Sequence, residues 1–271
     1  MSASLPASVM TAPPVEPSRT RGIVLHREVL LATDGSPAAQ AASRIAAALG
    51  ARWAVSPTVC TVPPSPSMAF DSSPAAEIVR VAEQRGSDLI VLGLRPHAFL
   101  DRVFRDETAL GVMRNAMVPV LAVTPLLTRL PRRVAVAIDF SRASIAAARA
   151  ALPLIDDGGS LMLVYVEPEA EPRTPGAEGY ATIFAQGVAG AFGRLRQELS
   201  SRTDVRIETM ILHGAVVPEL LSFADRADVD LLGVGSQRHS VTRRAVVGSV
   251  TTALARAATH SLLVIPPGRK G

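Results

Sequence analysis

Hydrophobic positions along the chain fall into two kinds of run, and the two kinds alternate. Short, continuous apolar stretches such as 29–32, 89–92 and 120–123 fit strands covered on both faces, as in a parallel sheet. Between them lie Ala-rich or amphipathic stretches of helical length. The same order then returns. Val29-Leu30-Leu31-Ala32-Thr33-Asp34-Gly35-Ser36 opens a helix reaching about Gly50, and Val134-Ala135-Val136-Ala137-Ile138-Asp139-Phe140-Ser141 opens another reaching about Leu154. The Asp or Ser after each strand is a natural N-cap for the helix.

The later parts of the two units also correspond. The stretch from Pro74 to Gly93 runs parallel to that from Val216 to Gly235, each an amphipathic helix, a polar turn and a buried strand ending in Gly. Val120-Leu121-Ala122-Val123 and Leu262-Leu263-Val264-Ile265 close the units, each with a proline just beyond. The register is unequal: Asp34 and Asp139 are 105 positions apart, but Gly93 and Gly235 are 142 apart, so the first unit is shorter by 37 residues. The second unit spends that length on a helix over 180–200 and a strand over 205–212, where the first has only a Pro-rich passage over 63–73. The first unit should lack one helix and most of one strand.

The expected fold class is α/β, with two tandem doubly wound parallel-sheet, Rossmann-like domains of which the first is truncated. The expected division is a disordered tail over 1–26, an N-terminal domain over 27–127 and a C-terminal domain over 132–267. The Pro-, Ser- and Ala-rich start has no basic segment followed by an apolar one, so a secretory signal is not expected. The total of 271 residues agrees with about two domains.

Composition narrows the function classes. Hydrophobic residues are 48% and charged residues 19%, enough for sizeable cores. The single cysteine, Cys60, cannot form an internal disulfide, and no apolar run approaches the ~18 residues of a membrane span. A cytoplasmic protein without membrane partners is the expectation. Aromatic residues at 4% leave little for base stacking, which argues against single-stranded nucleic acid. Lys270 is the only lysine, which excludes a Walker-type loop and Schiff-base chemistry within the fold. The pI of about 10.1 comes with a net charge of only +4, because arginine replaces lysine and titrates very high.

The segment with chemical content is Gly235-Ser236-Gln237-Arg238-His239, followed after eight residues by Gly248-Ser249-Val250. Glycine at a strand end lets backbone approach a ligand, and Gly-Ser opening a helix offers N–H groups and a hydroxyl to an anion. Asp139, after the adjacent strand, could meet ribose hydroxyls. These parts fit a nucleotide with its phosphates at a helix N-terminus.

At these residues the chain resembles the universal stress protein family in its tandem form, whose domains are adenine nucleotide α-hydrolase-like. ATP-binding members carry Gly, two residues, Gly, nine residues, then Gly-Ser or Gly-Thr. Gly235, Arg238 and Gly248-Ser249 keep the spacing, with Arg238 replacing the second glycine. The resemblance spans about 27–267. It implies that Asp139, Val234 and Gly235 face ribose and adenine, that the backbone near Val166 meets the adenine edge, and that Gly248, Ser249 and Val250 bind phosphates. Arg238 either fills the phosphate pocket or pairs with phosphate itself. The implied cofactor is ATP or a related adenine nucleotide, with or without Mg2+, and the implied role is regulation in stress response. The implied partners are the other domain of the same chain through the terminal strands, a second copy as homodimer, and an unidentified protein.

The same spacing in the first unit gives Gly93, Pro96 and Asp106-Glu107. Two carboxylates at that helix start would repel an anion, so the site there reads as lost.

Other readings are weaker. Gly233-Val234-Gly235-Ser236-Gln237-Arg238 misses the third glycine of a dinucleotide fingerprint, and no Asp or Glu follows Leu231 to bind a ribose. His213 and His260 have no Cys, His or carboxylate at ligand spacing, so a metal site has no support. Ser249 has no sequence-evident base, so an enzyme is not expected, although slow ATP hydrolysis stays open. Arg238, His239, Arg243 and Arg244 form a basic loop that clamps phosphates, attracts an acidic partner or lies solvated on the surface. The competing function is a tandem scaffold or interaction protein that binds no nucleotide.

Overall fold

β-branched and leucine-rich runs become the strands, and the Ala-rich and amphipathic stretches between them become helices. A computed structural model describes residues 28–62, 73–95, 107–167, 178–200, 204–236, 248–257 and 259–266. The expected tail, Arg238 and the rest of the basic loop lie outside these residues. In the first half of the chain the order is β1 (Val29–Thr33), α1 (Pro37–Trp53), β2 (Thr58–Thr61), α2 (Pro74–Arg85), β3 (Leu89–Gly93), α3 (Glu107–Asn115) and β4 (Val120–Val123). The second half runs β5 (Arg133–Ala137), α4 (Arg142–Ala151), a 3-10 turn (Leu152–Leu154), β6 (Ser160–Glu167), α5 (Glu178–Leu199), β7 (Arg206–His213), α6 (Val216–Arg226), β8 (Leu231–Gly235), α7 (Ser249–Ala257) and β9 (Ser261–Ile265).

The strands described make one sheet, ordered β2-β1-β3-β4-β9-β8-β5-β6-β7. Every neighbouring pair is parallel except β4–β9, where Val120 faces Val264 and Leu121 faces Leu263 in antiparallel register. The two terminal strands thus join the halves within one chain. Behind the junction Thr124 N–H donates to Ser261 Oγ at 3.0 Å, both residues buried, so the polar groups there are satisfied.

Because strand side chains alternate, the sheet has two apolar faces. Leu30, Ile90, Ala135, Leu232 and Leu262 belong to the cluster that α2, α3, α6 and α7 cover. Val29, Leu31, Val134, Val136, Leu161, Leu163 and Leu263 belong to the opposite cluster, under α1, α4 and α5. The molecule is therefore a tandem of doubly wound, Rossmann-like α/β units, the first of them truncated. Only residues 62–73 separate β2 from α2, whereas 168–215 separate β6 from α6. α5 and β7 fill the longer interval and have no counterpart among the described residues of the first half.

That difference leaves a mark on the sheet. Leu31 pairs with Val59 in the first half, and Val136 pairs with Leu163 at the corresponding place in the second. Leu163 lies in the cluster with Val188, Phe192 and Leu195 of α5 and is 0% exposed, whereas Val59 is 59% exposed. β2 itself was not anticipated from the apolar pattern; its signal is the short Thr58-Val59-Cys60-Thr61 run, rich in β-branched residues.

Candidate functional site

The site-bearing residues gather where strands end. In the second half β5 lies between β8 and β6, so the chain leaves β5 for strands on opposite sides and a crevice opens at their carboxyl ends. Asp139 follows β5, Val166 lies near the end of β6, Val234 and Gly235 end β8, and Gly248, Ser249 and Val250 open α7.

The turn after β5 is built by its own side chains. Ser141 N–H donates to Asp139 Oδ1 at 3.0 Å, and Asp139 N–H donates to Ser144 Oγ at 3.3 Å. Ser141, and not the aspartate, is the N-cap of α4, its hydroxyl accepting from Ser144 N–H. Ser36 caps α1 in the same way, while Asp34 Oδ1 accepts from Ser36 N–H at 3.0 Å. Each aspartate thus stands two residues before the cap serine and accepts from its N–H.

Asp139 is exposed at the crevice. Phe140, next to it, has φ of 59°, a left-handed conformation that Gly35 (φ 74°) adopts at the matching position of the first half. The strained residue is held by its ring, which meets Tyr165 at 5.8 Å and Phe192 edge-on at 5.1 Å. Burial, with smaller contributions from the Glu167 and Asp139 carboxylates, pushes the Tyr165 phenol above its ordinary range.

Val166 presents backbone. Ile138 N–H donates to Val164 O at 2.7 Å, and β5 ends at Ala137. Two residues further on, the peptide groups of Val166 face the same side, past the end of the neighbouring strand.

Gly235 is required by packing. A Cβ there would lie 2.2 Å from the Ala143 carbonyl carbon, and at Gly93 it would lie 2.6 Å from that of Ala38. Both strand ends are pressed against the first turn of a helix, so this glycine is needed whether or not a ligand binds.

The start of α7 is tied to the end of β8 by Ser236, which is fully buried and accepts from Gly248 N–H at 3.2 Å. Gly248 O accepts from Thr252 N–H, starting the helix. The first turn has no acidic residue, and Ser249 is exposed. First-turn amides lack intrahelical acceptors and carry the positive end of the helix dipole. In the first half, α3 instead starts at Glu107, and buried Leu94 stands where Ser236 would be.

The first half also closes its aspartate. Arg95 Nη2 donates to Asp34 Oδ2 at 3.3 Å. Burial alone would raise this carboxyl, but hydrogen bonds from Ser36 and the Arg95 charge outweigh it and hold the group below the ordinary carboxylate range. The sequence pattern did not single out Arg95, Ser236 or Phe140. Of the three, only Phe140 carried a signal, as the residue opposite a turn glycine.

The two histidines considered above do have carboxylate neighbours across the fold. His213 Nδ1 is 3.3 Å from Glu167, and His260 Nε2 is 3.5 Å from Asp225. No group of three metal-ligating side chains occurs among the described residues, and no helix among them is long and apolar enough to cross a membrane.

A doubly wound unit repeated in tandem, with crevice, strand-end backbone and helix N-terminus in its second copy, defines the class: a tandem Rossmann-like α/β protein. The profile of the Universal stress protein family matches residues 68–124 and 131–266, well over half of the chain, and the chain belongs to that family. A universal stress protein from Archaeoglobus fulgidus DSM 4304 shares the fold with a TM-score of 0.64 at 17% identity, over 89% of this chain and 98% of that one. A functionally unknown protein from Pseudomonas aeruginosa PAO1 shares it with a TM-score of 0.60 at 13% identity, over 89% and 93%. A universal stress protein solved in complex with cAMP is 25% identical over 50% of this chain and 97% of its own, with a TM-score of 0.35. No curated protein matches the chain by sequence.

Proposed function

We propose that this universal stress protein binds ATP or a related adenine nucleotide through its C-terminal domain, 132–267, and acts as a regulatory protein of the stress response. The observation that carries the reading is the acid-free N-terminus of α7, tied through Gly248 and Ser236 to the end of β8 beside the β5 crevice. Phosphates meet the amides of Ser249 and Val250, with the Ser249 hydroxyl as a further donor, and Gly248, its own N–H held by Ser236, leaves room for them at the helix start. Asp139 accepts from ribose hydroxyls, Gly235 leaves room beside them, and the Val166 backbone pairs with the adenine edge. Arg238 adds a guanidinium to the phosphates, and Mg2+ would accompany the triphosphate as its counterion. The N-terminal domain, 27–127, binds no nucleotide, because Glu107 opens α3, Asp106 precedes it in the sequence, and Arg95 holds Asp34.

The reading is of a cytoplasmic binding and signalling protein, not an enzyme. The competing scaffold reading draws on Gly235, whose packing role needs no ligand. Titration of ATP against the wild-type chain and Gly248→Asp separates them. Aspartate is a good N-cap, so the variant folds, and it is the residue the first half already carries there. A loss of affinity of at least about tenfold, the effect of placing one charge against phosphate, is expected. Equal affinity would remove the phosphate site, and no binding to either protein would favour the scaffold.

A further inference from the structure

The first half holds a cavity at the opposite end of the sheet from the nucleotide crevice. It lies between the ends of α2 and α3, where the chain enters β3 and β4, and encloses about 190 Å³. Val79, Ala82, Ile90, Ala116 and Val118 give it apolar walls, with Glu83 and Met117 at the rim. Ser87 also lines it. That residue is 4% exposed, and its Oγ has no hydrogen-bond partner among the described residues. Its backbone N–H is satisfied by Ala82 O, so only the hydroxyl is orphaned. A buried hydroxyl without a partner is costly, and native folds seldom keep one without a use.

The second half shows what this space can hold. Ile90 pairs with Val120 and Leu232 with Leu262, so Val118 and His260 occupy the same position in their halves. Glu83 likewise corresponds to Asp225, and Ser87 to Val229. The His260 ring is 14% exposed and lies with Nε2 3.5 Å from the solvent-exposed Asp225 carboxylate, so an imidazole stands at the position where the first half has Val118, with a carboxylate at its outer edge. Val229, buried in the core, leaves no polar atom orphaned there.

We propose that the first-half cavity is a binding site for a small, flat nitrogen heteroaromatic of imidazole size. One ring nitrogen accepts from the Ser87 hydroxyl, an N–H faces the Glu83 carboxylate, and the ring edges lie against Val79, Ile90 and Val118. An apolar cavity of roughly 150 Å³ accepts one benzene, so the volume suits a single ring. The site is independent of the nucleotide crevice and stands or falls apart from it.

Imidazole is the probe. At fixed pH and ionic strength, the ¹⁵N-labelled full-length protein should show saturable shifts at the amides of Ser87, Ile90 and Val118, and none at Val229 and Leu232. Val118→His supplies the ring from the chain itself and should weaken imidazole binding by at least about tenfold, as expected of an occupied pocket. Ser87→Ala, which removes only an unpaired hydroxyl, should fold and bind at least about threefold more weakly, the low end of a lost hydrogen bond. Non-saturating shifts, shifts centred elsewhere, or an unchanged affinity in Ser87→Ala would overturn the proposal and leave the cavity to solvent. The wild-type map and Ser87→Ala decide the matter if Val118→His does not fold.

Discussion

The two halves of this chain are built on one plan and finished differently. β1, β3 and β4 match β5, β8 and β9 in register, and α3 matches α7 residue for residue. At the strand ends the second half has an exposed Asp139 and an acid-free helix start, whereas the first has Asp34 paired with Arg95 and a helix beginning at Glu107. At the far sheet edge the second half is covered by α5, and the first leaves Val59 in solvent. The lesson is that a repeated fold can conserve its packing while its sites diverge, because packing is fixed by strand and helix contacts and sites by a few residues at their ends.

The comparison breaks most visibly at the paired positions under α5. Leu163→Ala should destabilise the protein by about 2–5 kcal/mol, the range for emptying a buried leucine site. Val59→Ala, at the matching but uncovered place, should change stability by no more than about 0.5 kcal/mol. Urea unfolding of both variants checks this, and similar losses would mean that something covers β2.

The glycines at the strand ends come next. Gly235→Ala and Gly93→Ala each force a Cβ into helix backbone, and each should cost at least about 1–3 kcal/mol without ligand, as overpacking does. If only Gly93→Ala destabilises in a thermal melt, Gly235 is kept for a ligand and not for packing. Gly35→Ala should cost about 1 kcal/mol, from the left-handed backbone alone, since nothing lies within 4 Å of the added methyl. In the second half the same strain is borne by Phe140, whose ring contacts with Tyr165 and Phe192 offset it.

The smallest effect is the Asp34–Arg95 pair. Its carboxyl titrates below the unfolded value of 3.8, so its stabilisation is fully present above that pH and is lost as pH falls through the lower folded value. With both side chains partly exposed, the contribution is below about 1 kcal/mol. Arg95→Gln should flatten the stability–pH curve in that acid window, lowering stability near neutrality by less than about 1 kcal/mol and leaving it unchanged below the window. An equal slope in the variant would show that the Ser36 hydrogen bonds alone depress the group.

Much of this architecture was legible in the sequence because it is periodic. The continuous apolar runs, the Asp-x-Ser turns and the two offsets of 105 and 142 positions anticipated the strands, the caps and the shortened first unit. The helix expected over 180–200 is α5 at Glu178–Leu199, and the strand expected over 205–212 is β7 at Arg206–His213. What stayed hidden rests on contacts between distant residues. Arg95 reaches Asp34 across 61 positions, Ser236 meets Gly248 12 positions on, and the Ser87 cavity is walled by residues from 79 to 118 that only the packed fold brings together. β2 was missed because a four-residue edge strand with one buried side chain has no apolar period to read.

The central claim is that one half of the chain is a nucleotide site and the other its closed counterpart. Native mass spectrometry of the full-length protein equilibrated with ATP counts the occupied sites directly. One nucleotide per chain, falling toward none in Gly248→Asp, is the predicted result. Two per chain, or one that Gly248→Asp leaves in place, would contradict it.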